Sequence, residues 1–310
     1  MNIIEFAPQG FCKGVINAIS IINRVIENPT IPRPIHLLGA LVHNKQITEA
    51  IKQKGVIVLD GHSRDEMLDQ VTTGTVVITA HGVSPKIYEK VKSKNLYMID
   101  STCKDVTRTH NIIKDKLKLN YTVLFIGKKG HPETEGVLGI DERIVLIENQ
   151  TDIDNLSMND SLLCVTNQTT MSLYDIFHLF EGLKEKFPQI ELIDELCLAT
   201  KQRQQAVLEQ SKLCDLIIVV GDKTSNNCKK LTEIAKNVAK KDVVQIESIE
   251  ELDLQFVKQY HTVGITSAAS TPYAITKEVI DVLEQIDDID TSFVKSSLNL
   301  PDLLQLKKHR

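Results

Sequence analysis

Tryptophan is absent and only 5% of the residues are aromatic, so the chain lacks the stacking platforms that hold single-stranded nucleic acid. Cations are not in excess either. Lys and Arg number 36 against 41 Asp and Glu, a formal charge of −5, and the only basic block is the tail Lys307, Lys308, His309, Arg310. That balance excludes nucleic acid as the principal partner. Among the longest apolar runs is LCDLIIVVG, well short of the roughly 20 residues needed to cross a bilayer, so no membrane partner is expected. The start, MNIIEFAPQGFCKG, shows no charged segment followed by a long apolar stretch, and a cytoplasmic location is expected. No Cys-x-x-Cys pair occurs, which excludes a zinc ribbon and a clustered ferredoxin-type cysteine run. Six cysteines in 310 residues are too sparse for a disulfide scaffold. Any metal centre must draw its ligands from distant parts of the chain.

What is present is a core-forming α/β pattern. Hydrophobic residues make up 42% of the chain, and its length calls for more than one core. Short runs rich in Val, Ile and Leu (TVVITAHG, YTVLFIGKKG, SLLCVTNQ, CDLIIVVGDK, YHTVGITSAAS) end in Gly, His, Asn, Thr or Ser. Amphipathic stretches such as SPKIYEKVKSK and SLYDIFHLFEGLKEKF follow them. Buried strands alternating with helices read as βα units of parallel sheets, whose ligands gather at strand carboxyl ends.

The chain also repeats itself. Cys12, Cys103 and Cys197 lie 91 and 94 residues apart, each at the start of a helical stretch. Polar strand ends follow at His43, His131 and Asn227, which are 31, 28 and 30 residues beyond the respective cysteine. A second set follows at His81, Thr169 and Ser270, at 69, 66 and 73 residues. This periodicity predicts three similar α/β domains with parallel sheets, arranged as a pseudo-threefold trefoil whose strand ends face a shared centre. The expected domains are 13–100 with Cys12 at its entry, 101–194 with Cys103, and 195–285 with Cys197, the last completed by 1–12 and 286–310. Three thiolates at such a centre can hold an iron–sulfur cluster, and a four-iron cubane would keep one iron open for substrate. Cys164 and Cys214 break the repeat and are expected to be core thiols, and Cys228 to be incidental.

The motifs GFCKGV, LVHN, AHGVS, DSTCKDVT, GHPETEG, NQTTMS, CLATKQRQ, TSNN and ITSAASTP, spread over essentially the whole chain, resemble those of the 4-hydroxy-3-methylbut-2-enyl diphosphate reductases. The resemblance implies one 4Fe–4S cluster held by Cys12, Cys103 and Cys197, with one open iron. It implies reductive removal of an allylic hydroxyl, yielding isopentenyl and dimethylallyl diphosphate in the last step of the methylerythritol phosphate route. Electrons would come singly from a ferredoxin or flavodoxin-type donor. His43, His81, His131, Ser225, Asn226, Asn227 and Ser270 match the positions that bind the diphosphate. Glu133, with His131 beside it, matches the catalytic acid, and Thr169 the residue that holds the hydroxyl and relays its proton. On the same pattern Glu135 lies outside the site, Thr170 is structural, and Arg203 and Gln204 support the third cysteine. The chain departs from the usual pattern at Lys104, where Pro is usual, at Asn226, where Ser is, and at Ala268, where Gly is common. None of these is a cluster ligand or the acid.

Two rival readings stand beside this one. One is a paralogue or another trefoil cluster enzyme of the quinolinate-synthase kind, whose signature lacks the combination of GHPETEG and AHGVS. The other is a non-catalytic, cluster-based redox sensor, and neither a helix-turn-helix nor a basic DNA-binding face supports it. Anaerobic turnover with the diphosphate and a reduced dye separates all three.

Overall fold

The computed structural model describes residues 1–158, 162–288 and 294–306. β1 (Asn2–Glu5) and α1 (Lys13–Glu27) lead into β2 (Ile35–Leu37), α2 (Lys45–Gln53), β3 (Ile57–Val58), α3 (Arg64–Asp69), β4 (Thr75–Ile78), α4 (Pro85–Ser93) and β5 (Tyr97–Asp100). The alternation restarts after α5 (Lys104–Lys118). It runs through β6 (Thr122–Ile126), α6 (Pro132–Leu138), β7 (Ile144–Ile147), α7 (Gln150–Asn155), β8 (Leu163–Asn167), α8 (Leu173–Lys186) and β9 (Glu191–Leu192). After α9 (Leu198–Gln210) it comes a third time, as β10 (Leu216–Val220), α10 (Asn226–Glu233), β11 (Asp242–Ile246), α11 (Leu254–Val257), β12 (Thr262–Ser267) and α12 (Tyr273–Glu284).

The strands form three four-stranded sheets, ordered β3-β2-β4-β5, β7-β6-β8-β9 and β11-β10-β12-β1, with every pair parallel. The α/β class and the parallel sheets are those the sequence predicts. The order is the same each time, and β1 takes in its sheet the place that β5 and β9 take in theirs. Parallel neighbours need a crossover, and the helices between successive strands supply it. Because the chain turns both ways from the first strand of each run, the carboxyl ends of the first and third strands flank a topological switch point.

Contacts divide the chain into two compact units. One comprises 1–16, 42–54 and 198–310, and holds the β11-β10-β12-β1 sheet together with α2. In it, the turn Leu300–Leu304 packs against α2. The other unit, 17–41 and 55–197, holds the remaining two sheets. The middle strands are buried on both faces, which is why they read as continuous apolar runs. Val123 and Phe125 of β6 face a core with Ile113, Leu117 and Cys164. Leu124 and Ile126 face the other way, onto Ile176, Leu179 and Leu183 of α8. Cys214 and Cys228 share a core with Phe6, Ile217 and Val219, so Cys228, expected to be incidental, is a packed core thiol. Among the described residues, no helix is long and apolar enough to cross a membrane.

Gly264 sits mid-way along β12, which pairs with β1 on one side and β10 on the other. A Cβ there would lie 2.8 Å from Phe6 Cε1 and 2.9 Å from Cys214 Sγ, on a strand that cannot shift without disturbing both ladders. Gly264→Ala is therefore expected to cost about 1–3 kcal/mol by overpacking. Urea unfolding with the slope unchanged would measure it, and a midpoint equal to that of the parent would refute the tight packing.

Candidate active site

The polar motifs leave the carboxyl ends of the first and third strands of each run. His43 follows β2, His131 follows β6 and Ser225 follows β10, while His81, Thr169 and Ser270 follow β4, β8 and β12. The loops after the first strands each cap a helix. Asn44, His131 and Ser225 accept the N–H groups of Ile47 (2.9 Å), Glu133 (3.2 Å) and Cys228 (3.4 Å) at the starts of α2, α6 and α10. Short polar side chains recur here because a helix start leaves backbone donors that need acceptors.

One backbone contact occurs three times. The N–H of Cys12 donates to the Ala269 carbonyl at 3.0 Å, that of Cys103 to Ala80 at 3.0 Å, and that of Cys197 to Thr169 at 3.1 Å. Each cysteine lies in the loop after an outer strand (β1, β5, β9) and is tied to the tip of the strand next to it (β12, β4, β8). Two tip residues complete the link from their other side. Thr169 N–H donates to Glu133 Oε1 at 2.7 Å, and Ala269 N–H to Asn227 Oδ1 at 3.1 Å. Glu133 and Asn227 are each the second residue of their helix. At the third tip, Ala80 N–H goes instead to the Leu41 carbonyl, 3.3 Å away.

Unit 17–41 and 55–197 brings together His81, His131, Glu133 and Thr169 and carries Cys103 and Cys197. Glu133 is 2% exposed, with Oε1 on the Thr169 amide and Oε2 accepting the Thr169 hydroxyl at 3.0 Å. Burial pushes its carboxyl up to about 7, against the pull of the two Thr169 bonds and with some help from the negative charge of Asp105. A carboxyl poised there exists as acid and as carboxylate at neutral pH, the property a proton donor needs. His131 Nδ1 accepts a backbone N–H, so a neutral ring carries its proton on Nε2. The ring meets His81 edge to face, with centroids 5.6 Å apart. Glu135 is exposed. Arg108 Nε and the Thr109 hydroxyl both donate to Glu195 Oε2, at 2.8 and 3.2 Å. The segment that leads to Cys197 is thereby held on the helix that begins after Cys103.

The other unit carries Cys12, His43, Ser225, Asn226, Asn227 and Ser270. The Ser270 hydroxyl donates to the His43 carbonyl at 2.9 Å, and Asn227 Nδ2 to Thr200 Oγ1 at 3.4 Å. Asp222, a residue the sequence reading passed over, accepts the Lys45 N–H at 2.9 Å and the N–H and hydroxyl of Thr224 at 2.7 and 2.6 Å. It ties the His43 segment to the loop that carries Ser225, and the only signal for it was its place in GDKTS. Arg203, on the helix that starts directly after Cys197, donates to the Ala199 carbonyl in that helix's first turn at 3.2 Å and to the carbonyls of Gly10 (2.6 Å) and Ser267 (3.2 Å), so it braces the loop of Cys12 as well. Of the departures from the resemblance, Lys104 is exposed and Ala268 is fully buried, against Gly221.

The donor set suits a thiolate-bound group. Cys12, Cys103 and Cys197 are partly exposed, and each directly precedes a helix, whose N-terminal partial charge favours an anionic ligand. Cys164, Cys214 and Cys228 are buried, and burial pushes the thiols of Cys164 and Cys228 up to about 12 and that of Cys214 upward, which disfavours ligation.

A family model described as LytB protein matches residues 3–284. The chain is 45% identical over 302 residues to a protein of Geobacillus sp. (strain WCH70) and 46% identical over 302 residues to one of Bacillus subtilis (strain 168). In each case the match covers 97% of this chain and 96% of the relative, and both relatives are named 4-hydroxy-3-methylbut-2-enyl diphosphate reductase. Among solved structures, the E-1-hydroxy-2-methyl-but-2-enyl-4-diphosphate reductase of Plasmodium falciparum superposes with a TM-score of 0.86 at 32% identity, covering 97% of this chain and 94% of that one. A structure described as (E)-4-hydroxy-3-methyl-but-2-enyl diphosphate reductase, the terminal enzyme of the non-mevalonate pathway, gives 0.66 at 27% identity over 92% of this chain and 100% of that one.

Carbon-13 NMR of the Glu133 carboxyl should show a midpoint near 7 rather than near its ordinary 4.5. Thr169→Val deletes a hydroxyl donor that favours the carboxylate, so the midpoint should move upward. A hydrogen bond to a charged group, about 1.5–3 kcal/mol, corresponds to about 1–2 pH units. A parent midpoint below 5 would overturn the buried-acid reading.

Proposed function

Since the chain belongs to the LytB protein family, we propose that it removes the allylic hydroxyl of (E)-4-hydroxy-3-methylbut-2-enyl diphosphate by reduction, giving isopentenyl and dimethylallyl diphosphate, the terminal step of the non-mevalonate pathway. The observation that carries this reading is Glu133, a buried carboxyl poised near neutrality that accepts both the N–H and the hydroxyl of Thr169. Replacing the allylic hydroxyl by hydrogen takes two electrons and two protons and releases water, with the new C–H bond at the former alcohol carbon in dimethylallyl diphosphate and at the other end of the allyl unit in isopentenyl diphosphate. The departing hydroxyl needs a proton from a fixed donor, and Glu133 holds one next to the Thr169 hydroxyl that would receive the substrate.

Cys12, Cys103 and Cys197 would hold a 4Fe–4S cluster with one iron free of protein ligands. When bound, such a cluster supplies single electrons and a Lewis-acidic metal. His43, His81, His131, Ser225, Asn226, Asn227 and Ser270 would bind the diphosphate. They offer imidazole, hydroxyl and amide donors rather than lysine or arginine, so histidine protonation would supply the positive charge. Ser225, Asn226, Asn227 and Ser270 are almost fully buried, which keeps water from competing for the phosphate oxygens. A ferredoxin or flavodoxin-type protein would deliver the electrons, in the cytoplasm. The three-domain division at 13–100, 101–194 and 195–285 belongs to the same reading, supported by one run of strands falling in each interval, the last completed by β1.

Anaerobic turnover with the diphosphate and a reduced viologen dye tests the function, and no product from cluster-loaded protein would sink it. Replacing Cys12, Cys103 or Cys197 by Ser should abolish the cluster's visible absorbance, whereas Cys164→Ser, Cys214→Ser and Cys228→Ser should retain it. The reverse pattern would refute the ligand set.

Binding and chemistry should separate as well. Glu133→Gln keeps the shape but cannot release a proton, so single-turnover rates should fall roughly 100- to 10,000-fold with substrate affinity changed less than about tenfold. In the parent, kcat/KM should decline as pH rises through about 7, because the acid form is the one lost there. Ser225→Ala combined with Asn227→Ala should do the opposite, weakening affinity more than rate. A Glu133→Gln variant at parental rate would remove Glu133 from the mechanism.

A further inference from the structure

Gln168 is fully buried, and its side-chain amide reaches three segments at once. Oε1 accepts the Lys128 N–H at 3.0 Å and the Thr134 hydroxyl at 3.2 Å, while Nε2 donates to Thr170 Oγ1 at 3.0 Å. The backbone of Gln168 is fixed too. Its N–H donates to the Ile126 carbonyl at 2.8 Å, and its carbonyl accepts Asn167 Nδ2 at 3.1 Å. Lys128 lies in the loop after β6, Thr134 in the first turn of α6, and Thr170 in the loop after β8. Glu133 is the chain neighbour of Thr134, and Thr169 lies between Gln168 and Thr170. One amide therefore brackets the Glu133–Thr169 pair from both sides.

We propose that Gln168 is a positioning residue for that pair: it sets the spacing between α6 and the β8 loop, and so keeps the Glu133 carboxyl seated on both the amide and the hydroxyl of Thr169. The pair cannot fix its own spacing. When the carboxyl gains a proton its bonds to Thr169 lose their charge assistance, and when it gives the proton up they regain it. The Gln168 clamp joins only neutral groups, so it holds through both states. The side chain must accept and donate at once, must reach across two loops, and must not place a second charge beside Glu133. Glutamine meets all three demands, while glutamate fails the last.

This inference rests on the role given above to Glu133 and Thr169, and its test includes a readout independent of turnover. Gln168→Met keeps the length and removes the bonds. Per cluster-loaded molecule, it should lower kcat roughly 10- to 100-fold, as expected when a reacting group is displaced by about 1 Å. KM for the diphosphate should stay within about threefold, and the Thr169 amide should lose its protection from hydrogen exchange. Thr134→Val, a milder cut that removes one of the clamp's donors, should act in the same direction and more weakly. Parental kcat with a protected Thr169 amide in Gln168→Met would overturn the proposal, as would a loss confined to KM or to cluster content. If Gln168→Met does not fold, the same two readouts on Thr134→Val decide the matter. If the parent itself fails to turn over the diphosphate, the functional reading falls, and exchange at Thr169 alone then decides whether Gln168 sets the pair.

Discussion

The hydrogen bond from each cysteine's backbone N–H to the tip of the adjacent strand is the contact on which the remaining geometry depends. It appears at Cys12, Cys103 and Cys197 with lengths of 3.0, 3.0 and 3.1 Å. A loop following an outer strand has no ladder partner of its own, and this bond extends the sheet by one rung, to Thr169 itself or to the alanine that directly precedes His81 or Ser270. The strand tips are held in turn by parallel ladders buried on both faces, so the cysteines inherit the rigidity of the sheet rather than the mobility of a loop. At Thr169 and Ala269 the same residue continues the link to a helix, through Glu133 and Asn227. A cysteine, a strand tip and the first turn of a helix are thereby set as one piece.

Burial does the electrostatic work. Glu133 is surrounded by groups that cannot solvate a full charge, and the two Thr169 donors only partly offset that cost, which leaves the carboxyl balanced near 7. Asp222 is buried too, and its side chain accepts three hydrogen bonds from Lys45 and Thr224 that cross-link loops. His110 is a third buried titratable group, lowered to about 4 chiefly by burial, with the Lys114 charge adding to it. It is neutral at working pH and packs close to Gly82 and Gly136, beneath the loops of His81 and Glu133. In Glu133 and His110 alike, burial is the largest cause of the shift.

Much of the architecture was legible in the chain. Runs such as TVVI and LIIVV are apolar without alternation because both of their faces are covered, and that signature does not depend on distant partners. The spacing of the cysteines and strand ends reflected a repeated run of four strands and three crossovers, a local matter of chain length. Arg203 and Cys228 were less legible. The place of Arg203 in CLATKQRQ pointed to the start of its own helix, where it meets the Ala199 carbonyl, but nothing in that motif announced that its long side chain also reaches the carbonyls of Gly10 and Ser267. Cys228 looked incidental because nothing in NNCKKL announces that α10 turns that side toward Phe6 and Val219.

By itself the sequence determined the α/β class, the threefold rhythm and the motifs that place the chain in its family. All of these follow from periodicity and residue type, which are properties of neighbouring positions along the chain. The tertiary structure alone decided that β1 completes the last sheet, that Asp222 and Gln168 hold loops together, and that Glu133 sits where its carboxyl is half protonated near neutral pH. These depend on desolvation and on hydrogen bonds between residues 34 to 260 positions apart, and the free energy of a buried polar group is set by what surrounds it in space.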